Sequence, residues 1–194
     1  MVKIAIIVGS TRPNRKAPDV AKWVYEAARQ RKDAEFEIVD IADFDLPVLD
    51  EPMPPSMGNY VHPHTKRWGA KVAGYDGYVF ITPEYNHSIP GALKNAIDLI
   101  YHEWTNKAAA FVSYGSTGGV RAVEHMRGVM AELQIADVRA HVSLSLHTDF
   151  VNYAQFKPAA THDVQMKTLL DQLVTWSIAM RTVREEKARL AKAA

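Results

Sequence analysis

Five short apolar runs, at residues 4–8, 36–41, 78–82, 108–114 and 140–146, alternate along the chain with segments whose apolar residues fall at helical spacing. Each run has the length of a buried strand, and enough chain separates consecutive runs for a crossover helix, so the pattern predicts a parallel sheet. Helical spacing covers residues 20–31, 65–73, 90–101 and 120–133, and a last helix is expected over residues 164–191. A strand covered on both faces reads as a continuous apolar run, whereas an edge or half-covered strand alternates. The first, third and fourth runs are continuous. The fifth alternates Ala140, Val142, Leu144 and Leu146 with His141, Ser143, Ser145 and His147, and the second sets Glu37 and Asp40 among Phe36, Ile38, Val39 and Ile41. Both read as edges.

Five strands with the second and fifth outermost fit a three-layer flavodoxin-like α/β fold, a parallel sheet of order 2-1-3-4-5 with helices on both faces. Ligands of such a sheet bind outside the C-terminal ends of its central strands, so function is expected in the loops after runs one, three and four. A chain of 194 residues with 47% apolar content suits one substantial core, and residues 1–194 read as a single domain. Residues 50–58, with Pro52, Pro54 and Pro55, should be irregular, and residues 148–161 should form a second excursion.

The absence of cysteine excludes disulfides, thiolate catalysis and zinc–thiolate sites. The opening apolar run is too short for a signal segment and nothing approaches a membrane span, so a cytoplasmic protein is expected. With 23 basic against 22 acidic side chains there is no global field to attract nucleic acid. Residues 181–192 mix both signs and read as a solvated helix face. The histidines lack metal-ligand spacing, and Trp23, Trp68, Trp104 and Trp176 recur at helical positions, which suits core or subunit interface.

The loop after the first run, Gly9-Ser10-Thr11-Arg12-Pro13-Asn14-Arg15-Lys16, gathers hydroxyls, amides and guanidinium groups at a helix N-terminus whose first turn holds Pro18. It reads as an anion cradle, the alternative being an ordinary solvated turn. Lacking both the dinucleotide and the P-loop glycine patterns, it favours a single terminal phosphate. After the third run, residues 82–91 place two prolines and a glycine around Glu84, Tyr85 and Asn86, a rigid connector that could read the edge of a flat heterocycle; the alternative is that Ser88 caps the next helix while Glu84 and Asn86 are solvated. After the fourth run comes Tyr114-Gly115-Ser116-Thr117-Gly118-Gly119, whose glycines would let backbone approach a ligand closely. It lacks the hydrolase elbow pattern, and no Asp/His pair serves Ser116 as a nucleophile.

Taken together, these loops resemble those of the NADPH-dependent FMN reductase family, flavodoxin-like enzymes that include quinone, chromate and azo-compound reductases. The resemblance covers residues 3–146. Its most specific segment is Pro83-Glu84-Tyr85-Asn86-His87-Ser88-Ile89-Pro90-Gly91-Ala92-Leu93-Lys94-Asn95-Ala96-Ile97-Asp98, with Gly9-Ser10-Thr11-Arg12 and residues 115–119 matching the family's other two sites.

The resemblance implies that Ser10, Arg12 and Arg15 hold the FMN phosphate. It implies that Pro83, Glu84, Tyr85 and Asn86 border the isoalloxazine, and that Tyr114, Gly115, Ser116, Gly118 and Gly119 flank its pyrimidine side. Lys16-Ala17-Pro18 departs from the small residues usual there, and Pro18 offers no amide. NADPH or NADH is the implied co-substrate and a quinone, free flavin or similar small molecule the acceptor, in a ping-pong cycle. No catalytic side chain is required, because the flavin carries the hydride chemistry. A homodimer or homotetramer is implied, for which Leu99, Tyr101 and Trp104 at the end of the third helix are candidate interface residues. The competing reading is a flavodoxin-type electron carrier. Such carriers tend to be strongly acidic, and a net charge of +1 argues for the enzyme; a phosphate-ligand sensor without turnover is a third reading.

Overall fold

The computed structural model describes residues 1–193. Five parallel strands, β1 (Val2–Val8), β2 (Ala34–Asp40), β3 (Gly77–Pro83), β4 (Ala108–Gly115) and β5 (Ala136–Ser145), form one sheet of order β2-β1-β3-β4-β5. Helices α1 (Ala17–Ala28), α2 (Pro63–Ala73), α3 (Gly91–Asp98) and α4 (Val120–Glu132) make the crossovers, and α5 (Thr161–Ala193) follows. β3 and β4 are buried at every position while β2 and β5 are buried only in part, as central and edge strands should be. This is the flavodoxin-like order expected from the runs.

Side chains alternate across the sheet, so Ile4, Ile6 and Val8 enter one core and Ala5 and Ile7 the other. The first core packs on α1 and α5 through Val20, Val24, Leu169 and Leu173. The second packs on α2, α3 and α4 through Trp68, Leu93, Ile97 and Met126. It is strongly aromatic: Trp104 meets Tyr78 and Trp68 edge-on, with ring centroids 4.9 and 6.1 Å apart.

That second core corrects the expected subunit surface. α3 ends at Asp98 rather than continuing to Tyr101, and the chain leaves it in successive turns that rotate Trp104 inward. Leu99 and Trp104 are fully buried, with the Trp104 indole donating to Ile97 O at 3.1 Å. Half-buried Tyr101 donates to Glu132 O at 3.0 Å. The apolar excess is therefore the inside of a core, and continuing the helical spacing past the last helical residue misplaced it.

Other differences are smaller. β5 begins earlier than its alternation indicates, because a register shift against β4 between Ala109 and Phe111 interrupts the period. Residues 50–58 include a short 3-10 turn, Pro55–Met57. The excursion after β5 carries a hairpin of β6 (Phe150–Val151) and β7 (Gln155–Phe156). Of the tryptophans, Trp68 and Trp104 are core, Trp23 packs on Phe156 at 5.7 Å, and Trp176 is exposed. Among the described residues no helix is long and apolar enough to cross a membrane.

Candidate functional site

The C-terminal ends of β1, β3 and β4 open onto one cavity of about 400 Å³. Arg12 and Arg15 from the first loop, Pro83, Glu84 and Tyr85 from the next, and Tyr114 and Gly115 from the last all line it. Ser10, Asn86, Ser116, Gly118 and Gly119 do not face this cavity, and each has another place.

Gly9 starts the first loop because its amide bonds Ile81 O at 2.9 Å and a Cβ would sit 2.6 Å from that oxygen and 2.8 Å from Leu93 Cδ2. Ser10 is fully buried behind the loop. Its Oγ shares a 3.0 Å hydrogen bond with the Tyr85 hydroxyl and accepts from the Arg12 amide at 3.4 Å, so it fastens the first loop to the second. Arg12 is exposed and has no carboxylate partner among the described residues. Arg15 pairs through one terminal nitrogen with Asp40 at the end of β2, leaving its Nε buried without a partner. Its amide is engaged by Arg12 O at 3.2 Å. The cradle thus offers guanidinium nitrogens more than amides, in keeping with Pro18 in the first turn of α1. The Tyr114 phenol beside it stays neutral: burial raises its pKa and Tyr85 adds to this, while the Ala17 amide, Arg15 and Arg12 pull the other way.

The second loop owes its rigidity to a tight turn. Tyr85 and Ser88 exchange amide–carbonyl bonds of 2.9 and 3.1 Å, with Asn86 and His87 both left-handed at φ 48° and 74°. Asn86 is exposed at its tip. Ser88 does not cap α3; its Oγ meets His125 Nδ1 at 2.9 Å. Glu84 is not solvated either. Its side chain is 6% exposed and accepts from Arg121 Nε at 2.6 Å and from the Arg121 amide at 3.2 Å. Arg121 also donates to Thr117 Oγ1 at 2.9 Å, which ties the second loop to the third. Nothing in the spacing of Glu84 and Arg121 announces this pair, and it neutralises the one carboxylate lining the cavity.

The glycine loop is shaped from beneath. Gly118 and Gly119 are left-handed at φ 74° and 75°; a Cβ on the first would overlap Ser143 Oγ at 1.9 Å, and one on the second would lie 2.7 Å from Ser113 Cβ. The Gly118 amide turns back to Gly115 O at 3.1 Å, and Gly118 O accepts from Ser113 and Ser143 hydroxyls at 2.6 and 3.0 Å. His141 Nε2 lies 2.7 Å from Ser113 Oγ, and burial with Arg127 nearby pulls its pKa down to about 4, so a neutral ring donates to that oxygen. The close approach these two glycines permit is to β4 and β5, which by itself accounts for their lack of side chains. Gly115 alone of the three lines the cavity, while Ser116 is exposed at the loop's outer edge.

Two arginines, one of them with no acid partner among the described residues, and two tyrosines suit an anion joined to a flat ring. Among the described residues no group of three or more His, Asp or Glu gathers as a metal site. Comparison with known proteins agrees with this reading. The family model described as NADPH-dependent FMN reductase matches residues 2–149. An NAD(P)H-dependent FMN reductase of Schizosaccharomyces pombe is 40% identical over 159 residues, 81% of this chain and 80% of that protein. A 2-hydroxy-1,4-benzoquinone reductase of Burkholderia sp. is 34% identical over 141 residues, 69% of this chain and 73% of that one. Among solved structures, the flavoenzyme NAD(P)H:(acceptor) oxidoreductase FerB from Paracoccus denitrificans shares the fold with a TM-score of 0.72 at 22% identity, covering 93% of this chain and 99% of its own. The chain belongs to the NADPH-dependent FMN reductase family, as an oxidoreductase that takes FMN as its cofactor and NAD(P)H as its reductant.

Proposed function

We propose that this enzyme passes reducing equivalents from NAD(P)H to a small-molecule acceptor such as a quinone or free flavin, with FMN held in the cavity at the C-terminal ends of β1, β3 and β4. The observation that carries the proposal is the meeting of Arg12, which has no carboxylate partner among the described residues, with Arg15, Tyr85 and Tyr114 in one 400 Å³ cavity. Arg12 and Arg15 would hold the phosphate through charge-assisted hydrogen bonds of about 1.5–3 kcal/mol each. Pro83, Glu84 and Tyr85 would border the ring system on one side, with exposed Asn86 outside the cavity, and Tyr114, Gly115 and the exposed edge of the glycine loop on the other. Ser10 and Arg121 hold these walls in register, and no side chain needs to act as acid or base. FMN, when bound, supplies the hydride chemistry.

One open side of the cavity must serve donor and acceptor in turn, which leads to ping-pong kinetics. The name of the Burkholderia relative supports a quinone-type acceptor. The reading takes the enzyme as one cytoplasmic domain working as a homodimer or homotetramer. With Leu99 and Trp104 in the core, the exposed Val48, Met53 and Met57 are the better surface for a second copy. Anaerobic NADPH should bleach the FMN-loaded protein, and an added quinone should restore the colour without a protein partner. A flavodoxin-type carrier would do neither.

A further inference from the structure

The family match ends at residue 149, and the hairpin of β6 and β7 lies just beyond it. It is nonetheless firmly placed. Phe150 is buried against Tyr114 at 5.9 Å and Phe156 at 5.2 Å, and Phe156 packs on Trp23. Buried Asp149 clamps its base, accepting the Ser145 and Ala159 amides at 2.8 and 3.0 Å and, through its carbonyl, the Lys157 amide at 2.8 Å.

The tip breaks two local rules at once. The turn closes with the Ala154 amide on Val151 O at 3.0 Å, and its central residues Asn152 and Tyr153 are left-handed at φ 51° and 56°. Asparagine suits such a position; a bulky aromatic residue does not, and glycine or asparagine would be the unstrained choice. Tyr153 is also 62% exposed, so burial does not reward the strain. Yet its ring lines the same cavity as Arg12, Asn14, Arg15 and Lys16. The exposed His147 ring stands edge-on at 5.5 Å, with Nδ1 3.2 Å from the Tyr153 hydroxyl. In the tautomer whose Nδ1 donates, the phenolic hydrogen is left to donate onward. Strain that the surrounding structure over-determines and packing does not repay points to a ligand contact.

We infer that Tyr153 is a cofactor-binding residue: its ring closes the phosphate end of the cavity beside Arg12, and its hydroxyl, oriented by His147, donates to the FMN phosphate. The inference rests on the phosphate placement of the proposed function. The test is titration of the full chain with FMN and with riboflavin, read by flavin fluorescence, together with the melting temperature of the flavin-free protein. Tyr153→Asn should weaken FMN by about tenfold, leave riboflavin within about twofold, and melt no lower than wild type, because asparagine tolerates the left-handed turn. Tyr153→Phe, which keeps the wall and loses the donor, should weaken FMN by about threefold to tenfold with riboflavin unchanged. If both variants bind FMN like wild type while Arg12→Ala is impaired, Tyr153 has no part in the site and the phosphate placement stands. If Arg12→Ala itself binds FMN normally, that placement fails and the inference with it. Equal weakening of riboflavin and FMN by Tyr153→Asn would overturn the phosphate contact.

Discussion

The two ends of the sheet both collect charge, and they treat it differently. At the N-terminal end of β4, Lys107 is 4% exposed, yet its Nζ donates to Val72 O, Ala73 O and the Tyr78 hydroxyl at 3.0, 3.1 and 3.0 Å. Around it Arg184 pairs with Asp76 and donates to Asn106 O at 2.7 Å, and Glu103 accepts from Tyr60 at 2.9 Å. At the C-terminal end, among the described residues, Arg12 has no carboxylate and Arg15 keeps a buried unpartnered Nε. Burial and the nearby Arg184 pull the Lys107 pKa down to about 7, so its hydrogen bonds serve the fold, whereas an exposed charge without partners is available to a ligand. Arg121 and Glu84 show that the upper end can satisfy charges too, which makes the exception of Arg12 informative.

This contrast breaks if substitutions at the two ends have the same consequences. The largest effect is expected at Lys107. Lys107→Ala removes three hydrogen bonds, leaves Ala73 O without its lysine donor and opens a cavity, so it should cost about 3–5 kcal/mol of stability, lowering the melting temperature by roughly 6–20 °C in thermal denaturation. FMN affinity of the folded fraction should be unchanged. Next is Gly118→Val, at the upper end but within the self-packed loop. The left-handed φ of 74° and the overlap with Ser143 should destabilise by about 2–4 kcal/mol even in flavin-free protein, a loss that calorimetry would register before any flavin is added. A Gly118→Val protein that melts like wild type and fails only to bind flavin would return this glycine to the ligand.

What was legible in the sequence follows period and composition. Continuous runs marked β3 and β4, alternating ones marked β2 and β5, and together they placed the loops that converge. The roles inside those loops were less visible. Ser10 reads as a phosphate ligand because hydroxyls at such turns accept and donate freely, but burial turned it towards Tyr85. Gly118 and Gly119 read as ligand-facing because only the structure shows Ser143 and Ser113 beneath them. Arg121 carries no sign of its role in the sequence, since a pair 37 residues apart has no local signature. For Trp104 core and interface stay open in the sequence, because helical spacing does not reveal where a helix stops; the structure puts it in the core. Tyr153 left one faint sign, an Asn-Tyr pair in an excursion between strand and helix, which becomes an anomaly only once its dihedrals are known.

The smallest of these energies tests the central claim most directly: the affinity of wild type and Arg12→Ala for FMN and for riboflavin, compared by titration. With the phosphate on Arg12, wild type should prefer FMN by at least about tenfold. Arg12→Ala should lose about one to two decades of FMN affinity, equivalent to one charge-assisted bond of about 1.5–3 kcal/mol, with riboflavin binding and melting temperature unchanged. Equal affinity of wild type for the two flavins, or an Arg12→Ala protein that binds FMN as tightly as wild type, would contradict the account.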